Sequence, residues 1–244
     1  MVLLTGAGWV AGVVNTIAGA GSLLTFPALL AAGLSPLTAN VSNCIGLVPG
    51  SATGAYGMRG VLRGQRHVLV PLCAWIAVGS LLGSVLLLQL PSGAFDKVIP
   101  VLVTLAGLLV LAQPLIVKRS RREEGEDSRW TGAGVGTIGV YSGYFGAAQG
   151  VLLIGALGTL RPRPLVLTNA TKNVLAVVGN GVAGIIYAVV APVDWVAVLA
   201  LAVGSTAGGP VGAVLAKRIP AGPLRVAIAV IALTVAVKLA VDAY

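Results

Sequence analysis

Two glycine-rich stretches in this 244-residue chain have residue types and a spacing that suit anion binding. The first reads GVVNTIAGAGSLLTFPALL from Gly12, and the second reads GYFGAAQGVLLIGAL from Gly143. Glycine lets a helix stop and the chain turn, and a short helix that starts after the turn has backbone N–H groups without an internal acceptor. Such helix starts attract anions through these donors and the positive end of the helix dipole. The residues expected to face the anion are Gly19, Gly21 and Ser22 in the first stretch and Gly146, Gln149 and Gly150 in the second.

A polar stretch follows each glycine-rich stretch. These polar stretches read TANVSNCIGLVPGS from Thr38 and TNATKNVLAVVGNG from Thr168. Their asparagines recur at spacings that keep them on one face of a helix. Because polar side chains are costly in hydrocarbon, that face is expected to point at protein or at a wet cavity. The residues predicted to contact substrate are Asn40, Ser42 and Asn43 in the first half and Asn169, Thr171, Lys172 and Asn173 in the second.

Lys172 is the ionisable residue that lies deepest inside an apolar segment. It follows Arg163 by nine residues, or roughly 14 Å of helix. We interpret it as an electrostatic anchor for an anionic substrate, because the apolar segments contain no acidic residue at that depth to pair with it. The alternative is a lysine that bonds to backbone carbonyls or extends to the interface. The lack of a buried carboxylate or histidine relay argues against classical proton coupling, since the one histidine, His67, adjoins Arg66 at a segment end.

The composition places the chain in a membrane. Hydrophobic residues make up 57% of it and charged residues 9%, with a mean hydropathy of +0.98. The net charge of +9 does not indicate nucleic-acid binding, because the basic residues flank apolar segments instead of forming a basic face. Neither a metal-ligand cluster nor a nucleophile with its base can be assembled, so we expect no cofactor, no metal site and no enzyme activity. Cys44 and Cys73 lie in apolar runs and are interpreted as core thiols.

An internal repeat divides the chain. A shift of 129 residues places Gly21 on Gly150 and Asn40 on Asn169. Close helix packing is a competing explanation for the glycines, but it does not explain why the same spacing recurs where each half must turn back. The predicted organisation is a first membrane repeat at 1–117, a charged linker at 118–130 and a second membrane repeat at 131–244.

The basic residues predict how the two halves are oriented, because Lys and Arg accumulate on the cytoplasmic side of membrane proteins. The basic clusters share one side if the first segment of each half enters the membrane and returns to the same face. These clusters are Arg59, Arg63 and Arg66; the linker; Arg161 and Arg163; and Lys217, Arg218 and Arg225. Residues 2–34 would form about 50 Å of helix, which is too long for one crossing and too short for two. We therefore predict an all-α polytopic membrane protein of two inverted repeats, each a re-entrant or broken helical segment plus three transmembrane helices. The linker is then cytoplasmic and both termini are external.

At these residues the chain resembles the TauE/SafE family of sulfite exporters and related permeases. The resemblance rests on the stretch AGVVNTIAGAGSLLTFPALLAAGLSPLTANVSNCIGLVPGSATGAY, on SGYFGAAQGVLLIGALGTLRPRPLVLTNATKN in the second half and on VDWVAVLALAVGSTAGGPVGAVLAKRIP near the end. The second turn departs from the family's glycine-rich pattern, because Ala147, Ala148 and Gln149 occupy much of it. The resemblance implies an inner-membrane transporter of bacteria or archaea for sulfite or small sulfur-containing anions such as sulfonates.

The predicted function is that of a secondary carrier that exports sulfite or a short organosulfonate from the cytoplasm. An anion that leaves a cell with a negative interior gains about 2.3 kcal/mol per charge per 100 mV, so export needs no coupling ion. An anion channel is the alternative, because re-entrant segments and opposed half-helices also build pores. An intramembrane enzyme is a distant third hypothesis. The expected partners are the lipid bilayer and the anion, and no binding to nucleic acid is expected. A homodimer is one possible assembly.

Overall fold

The computed structural model describes residues 1–90, 94–120, 127–215 and 222–243. All regular structure in these ranges is α-helical. The helices are α1 (Val2–Ala18), α2 (Ser22–Ala31), α3 (Pro36–Gly46), α4 (Val48–Gly57), α5 (Arg66–Leu88), α6 (Ala94–Ser120), α7 (Thr131–Tyr144), α8 (Gln149–Leu160), α9 (Leu165–Val190), α10 (Trp195–Leu215) and α11 (Gly222–Ala243). Within the described residues, α5, α6, α9 and α10 contain spans long and apolar enough to cross a membrane. The prediction of an all-α polytopic membrane protein is confirmed.

The first break falls where the glycines predict it. α1 ends at Gly19, which has a left-handed backbone (φ +74°) and donates its N–H to the carbonyls of Val14 and Asn15. This is a glycine C-cap, which satisfies carbonyls that the helix end leaves open. Gly21 then lies directly against the Ala11 carbonyl, so the chain has turned back along α1. α1 and α2 form a first re-entrant hairpin.

The second break has the same form with different residues. Gly146 and Ala148 both adopt left-handed backbone, and α8 begins at the next residue. The Leu160 carbonyl at the end of α8 accepts the N–H of Ser128 at 2.8 Å, just before α7 begins. Since α8 ends beside the start of α7, these two helices form a second re-entrant hairpin. Each half therefore contains a broken helical segment, as predicted, and its re-entry into the membrane stays a prediction.

A further break in the first half was not predicted. The segment that corresponds to α9 is divided into α3 and α4, with Leu47 between them. Pro49 lies in the first turn of α4, where its missing N–H is tolerated but would interrupt a continuous helix. Successive residues of α3 and then α4 nevertheless contact successive residues of α10. The two short helices together therefore lie along α10 as a single longer helix would.

Close helix contacts pair each hairpin with the opposite half. α1 packs on α10 and α7 packs on α5, and glycines allow backbone contact in both pairs. In each pair, later residues of one helix contact later residues of the other. Between α1 and α10 the contacts are Gly8 with Leu201, Gly12 with Ser205 and Val13 with Gly212. Between α7 and α5 they are Gly132 with Trp75, Gly139 with Ile76 and Gly143 with Ser80. Each pair is therefore parallel.

The direction of α9 separates the helices into two sets. Cys44 of α3 lies at Asn180, whereas Met58 at the end of α4 lies at Asn173, so α9 runs antiparallel to α3 and α4. α9 runs parallel to α5, because Arg161 contacts Gln65 and Gly179 contacts Ser80. α1, α3, α4 and α10 thus run one way, and α5, α7 and α9 run the other way.

Polar contacts tie the predicted basic clusters together at one end of the molecule. Asp127 forms ion pairs with Arg161 at 3.0 Å and with Arg163 at 2.8 Å. Arg161 also donates to Gln65 at the start of α5, at 3.2 Å. The first loop, the end of the linker and the segment before α9 therefore share a face. Residues 121–126 of the linker, Lys217 and Arg218 lie outside the described residues. Arg225 belongs to α11, but its side chain is not among those described.

Candidate functional site

The two breaks meet in the interior of the molecule. The Gly150 N–H donates to the Gly19 carbonyl at 3.2 Å. A Cβ on Gly19 would lie 2.6 Å from the Gly150 Cα, well inside normal contact distance. Beside this contact, Phe26 of α2 packs edge to face on Phe145, with ring centroids 5.6 Å apart. The two hairpins therefore touch backbone to backbone, and glycine is required at the point of contact.

A small polar pocket lies next to this contact. Its volume is about 10 Å³, which is room for about one water molecule. It is lined by Asn15, Ser22, Asn43, Cys44, Leu47, Phe145, Gly146, Gln149 and Asn180. None of these lining residues is acidic. We call this space the central pocket.

Two asparagines present amide donors to the central pocket. The Asn43 Oδ1 accepts the Thr25 hydroxyl at 2.5 Å, and the Asn180 Oδ1 accepts the Gln149 amide at 2.8 Å. Because their oxygens are used in this way, the amide N–H groups are left to face a ligand. Neither amide nitrogen, nor the Ser22 hydroxyl, donates to another of the described residues. The pocket therefore offers hydrogen-bond donors without an anionic competitor.

The breaks add backbone donors, though not everywhere the sequence predicted them. The N–H groups of Gly21 and Ser22 have no acceptor among the described residues, as expected for the start of α2. In the second break, the N–H groups that have no acceptor within the described part of the chain belong to Ala147 and Ala148. The predicted donors there are already used: Gly146 bonds to Tyr141, Gln149 to Gly146 and Gly150 to Gly19.

The predicted polar face caps the ends of the re-entrant helices. Asn169 donates its amide to the Thr16 carbonyl at 3.2 Å, and the Lys172 ammonium donates to the carbonyls of Asn15 at 2.9 Å and Thr16 at 3.4 Å. Lys172 is 1% exposed. The last carbonyls of a helix lack internal partners and carry the negative end of its dipole, so a cation is favourable there. The carbonyl-bonded alternative thus describes the contacts of Lys172, and a direct contact with substrate stays a prediction.

The other half repeats this capping with neutral groups. Asn40 donates its amide to the Tyr144 carbonyl at 3.1 Å, and the Tyr187 hydroxyl donates to the Gly143 carbonyl. The 129-residue shift aligns Asn40 with Asn169; Asn40 caps the hairpin of α7 and α8, and Asn169 caps the hairpin of α1 and α2. The residue equivalent to Lys172 is Asn43, which faces the central pocket instead.

The remaining predicted site residues lie away from the central pocket. Ser42 accepts the Asp194 N–H at 3.0 Å, and Asn173 donates to the Met58 sulfur at 3.4 Å. Thr171 is buried in α9. Four predicted residues do line the central pocket: Ser22, Asn43, Gly146 and Gln149.

The prediction of the site missed five lining residues, and two of these are asparagines with polar groups at the pocket. Asn15 lies one turn before Gly19, inside the first glycine-rich stretch, and its amide donates to Ser51 at 3.0 Å. Asn180 shares a helix face with Asn169 and lies opposite the second break. Their positions in the glycine-rich and polar stretches were the signals that could have identified them.

Comparison with known proteins gives one family for nearly the whole chain. The sequence model of the family "Sulfite exporter TauE/SafE" matches residues 4–239. The probable membrane transporter protein YfcA of Escherichia coli K12 is 28% identical over 96% of this chain and 87% of its own length. The probable membrane transporter protein ORF9 of a Sinorhizobium species is 26% identical over 97% of this chain and 90% of its own length. No solved structure matches the chain. Because the family model covers nearly the whole chain, the chain belongs to the TauE/SafE family of membrane transporters.

Proposed function

We propose that this protein is a secondary carrier that exports sulfite or a small organosulfur anion, which it binds in the central pocket. The observation that carries the proposal is a pocket between two helix breaks that presents several free hydrogen-bond donors and no acidic group. The Asn43 and Asn180 amides and the Ser22 hydroxyl supply side-chain donors. The family description supports sulfite as the anion. The family and its relatives are named as transporters, so we treat the chain as a transporter and not an enzyme.

The helix ends at the breaks explain how an anion would be favoured there. Each hairpin brings a positive helix start, of α2 or α8, and a negative helix end, of α1 or α7, into the same region. The negative ends are capped by Lys172 and Asn169 in one hairpin and by Asn40 and Tyr187 in the other. Capping offsets the negative ends and leaves the positive starts to act on the ligand.

Lys172 contributes charge to the central pocket through Asn15. The ammonium binds the Asn15 carbonyl, and the Asn15 side chain lines the pocket. A positive charge bonded to a lining residue attracts an anion in the pocket strongly, because apolar surroundings weaken the attraction less than water does. The proposed electrostatic role of Lys172 therefore needs no direct contact with the substrate.

The size of the central pocket favours a carrier over an open channel. A space for one water molecule is too small for sulfite, so binding requires the two hairpins to separate. We infer that the two halves are inverted repeats whose relative movement opens the pocket to alternate sides. The opposite directions of α1 and α7 support this inference. The shared face of Gln65, Asp127 and Arg161 is proposed to be cytoplasmic, with both termini external.

Flux into proteoliposomes tests the proposal. We expect saturable sulfite flux that accelerates when sulfite is present on the opposite side. Asn43→Leu and Asn180→Leu should each lower flux about tenfold, because each removes a hydrogen bond to a charged ligand. Thr137→Val is the matched control, since Thr137 lies on the exposed side of α7 and bonds only within its own helix.

The outcomes separate the alternatives. Competition among sulfite, sulfate, thiosulfate, taurine and sulfoacetate would identify the preferred anion. Single-channel currents in place of saturable exchange would indicate the channel. Full flux in both asparagine variants would remove the central pocket as the binding site.

A further inference from the structure

The end of α1 presents two backbone carbonyl oxygens of the kind that bind small alkali cations, and the Lys172 ammonium contacts both of them. Lys172 Nζ lies 2.9 Å from the Asn15 carbonyl and 3.4 Å from the Thr16 carbonyl. In secondary transporters, the carbonyls at the C-terminal ends of broken helices coordinate Na⁺. The ammonium therefore lies where such an ion would be held.

A third oxygen is available at this place. The Asn169 amide nitrogen binds the same Thr16 carbonyl as Lys172 does. Its Oδ1 is buried and has no hydrogen-bond partner among the described residues, and Asn169 as a whole is 9% exposed. A buried acceptor without a partner is costly, so it needs an explanation. This oxygen does not accept a hydrogen bond from the Lys172 ammonium, so it would join the two helix-end carbonyls only around a different cation. Carbonyl and amide oxygens are hard, neutral ligands that suit Na⁺ better than a transition metal.

The second break shows that a fixed cation is not needed to build a hairpin. The carbonyls at the end of α7 are capped by the neutral side chains of Asn40 and Tyr187. The residue equivalent to Lys172 in the repeat is Asn43, an amide. The positive charge is therefore specific to the first hairpin.

We propose that Lys172 is a tethered replacement for a Na⁺ ion at the end of α1, and that this site binds Na⁺ when the lysine is replaced by a residue with an amide oxygen. The wild-type protein then transports its anion without Na⁺, because its cation is part of the chain. Only the flux test below rests on the proposed function, whereas the stability test is independent of the substrate.

The stability test compares full-length Lys172→Asn with the wild-type protein in detergent. We expect the melting temperature of Lys172→Asn to rise with the logarithm of NaCl concentration, relative to KCl at equal ionic strength, as for any ligand that binds the folded state. The wild-type protein should respond equally to the two salts. Lys172→Met, which has no oxygen ligand, and Lys238→Asn, which removes an exposed lysine, should also show no preference for Na⁺.

The flux test repeats the comparison in proteoliposomes. We expect anion flux through Lys172→Asn to be about tenfold higher in Na⁺ than in K⁺, within the range typical of coupled binding sites. Wild-type flux should be the same in both ions. If the wild-type protein moves none of the five compounds tested while Lys172→Asn is still stabilised by Na⁺, the proposed function fails and the cation site stands.

Two results would overturn the inference. One is a wild-type protein that needs Na⁺ for stability or flux. The other is that neither Lys172→Asn nor a second variant, Lys172→Ser, behaves differently in Na⁺ and K⁺. Failure of both variants to fold in either salt counts as this result. Recovery of folded Lys172→Asn only in Na⁺ would support the inference.

Discussion

The two re-entrant hairpins share a geometry but are stabilised by different chemistry. In the first, the end of α1 is held by the charge of Lys172, and the start of α2 keeps free N–H groups at Gly21 and Ser22. In the second, neutral donors cap α7, and Gln149 joins Ser142 and Asn180 in a hydrogen-bonded network. The difference teaches that the same turn of the chain can be stabilised by a charged group in one place and by neutral groups in another.

This difference suggests separate roles for the hairpins. The second hairpin is braced from within, since the Tyr141 hydroxyl also donates to the Ala147 carbonyl at 2.6 Å. The first hairpin depends on a charge that belongs to the other half of the chain. Movement of α9 relative to α1 would therefore change the first hairpin more than the second, which makes the first the better candidate for a moving part.

The largest expected effect comes from separating the hairpins at their contact. Gly150→Leu places a side chain against the Gly19 backbone, where no flexible group can yield. We expect destabilisation of about 3 kcal/mol or more and loss of flux, because overpacking and backbone displacement combine. Thermal unfolding in detergent and proteoliposome flux would measure this.

Gly181→Ala is the control for that substitution. A Cβ on Gly181, also in a helix, meets nothing within 4 Å, so stability should be unchanged or slightly higher. Normal flux and stability in Gly150→Leu would show that the hairpins do not need to touch, and the comparison between them would lose its structural basis.

The next prediction compares the charged cap with the neutral cap. Lys172→Met should destabilise the protein by about 2–3 kcal/mol and abolish flux, because it removes charge-assisted hydrogen bonds to two carbonyls at the end of α1. Asn40→Leu removes one neutral hydrogen bond and should cost about 1 kcal/mol. Equal losses of melting temperature would mean that the charge adds nothing to the first hairpin, and unchanged flux in a correctly inserted Lys172→Met would remove its electrostatic role.

The sequence was a good guide to the breaks and a poor guide to their bonding. Gly19 and Gly146 could be predicted, because few other residues tolerate a left-handed backbone where a helix must turn. Ala148 carries the same conformation without any signal in its side chain. The Gly150 N–H donates to the Gly19 carbonyl, which is distant in the sequence, so no local sequence pattern could reveal this bond.

The role of the polar face shows the same limit. Helical spacing correctly grouped Asn169 with Lys172 on one face of α9. What that face meets depends on how the opposite hairpin packs. Asn169 and Lys172 meet the α1 carbonyls, and only Asn180 further along the same face lines the central pocket. The division of α3 from α4 had a signal in Pro49, but proline also occurs inside continuous helices here, as in α5 and α6.

A smaller effect should come from the internal brace of the second hairpin. Tyr141→Phe removes the hydroxyl that binds Ala147 and should lower stability by about 1 kcal/mol, with flux retained, since Tyr141 does not line the central pocket. Tyr56→Phe is the control, because Tyr56 is exposed. If Tyr141→Phe abolished flux while stability held, the second hairpin would be the moving part, and the assignment of roles would have to be reversed.

The smallest effect is expected at the open end of the second hairpin. Asp127 pairs with Arg161 and Arg163 there, beside the contact between Ser128 and Leu160. Asp127→Asn should cost no more than about 1 kcal/mol, because Asp127 is 42% exposed and solvent screens the pair. The loss should shrink as salt is raised, since screening weakens the wild-type pair as well. A larger, salt-independent loss would mean that the buried Arg161 depends on this carboxylate, and the second hairpin, like the first, would then be held by charge.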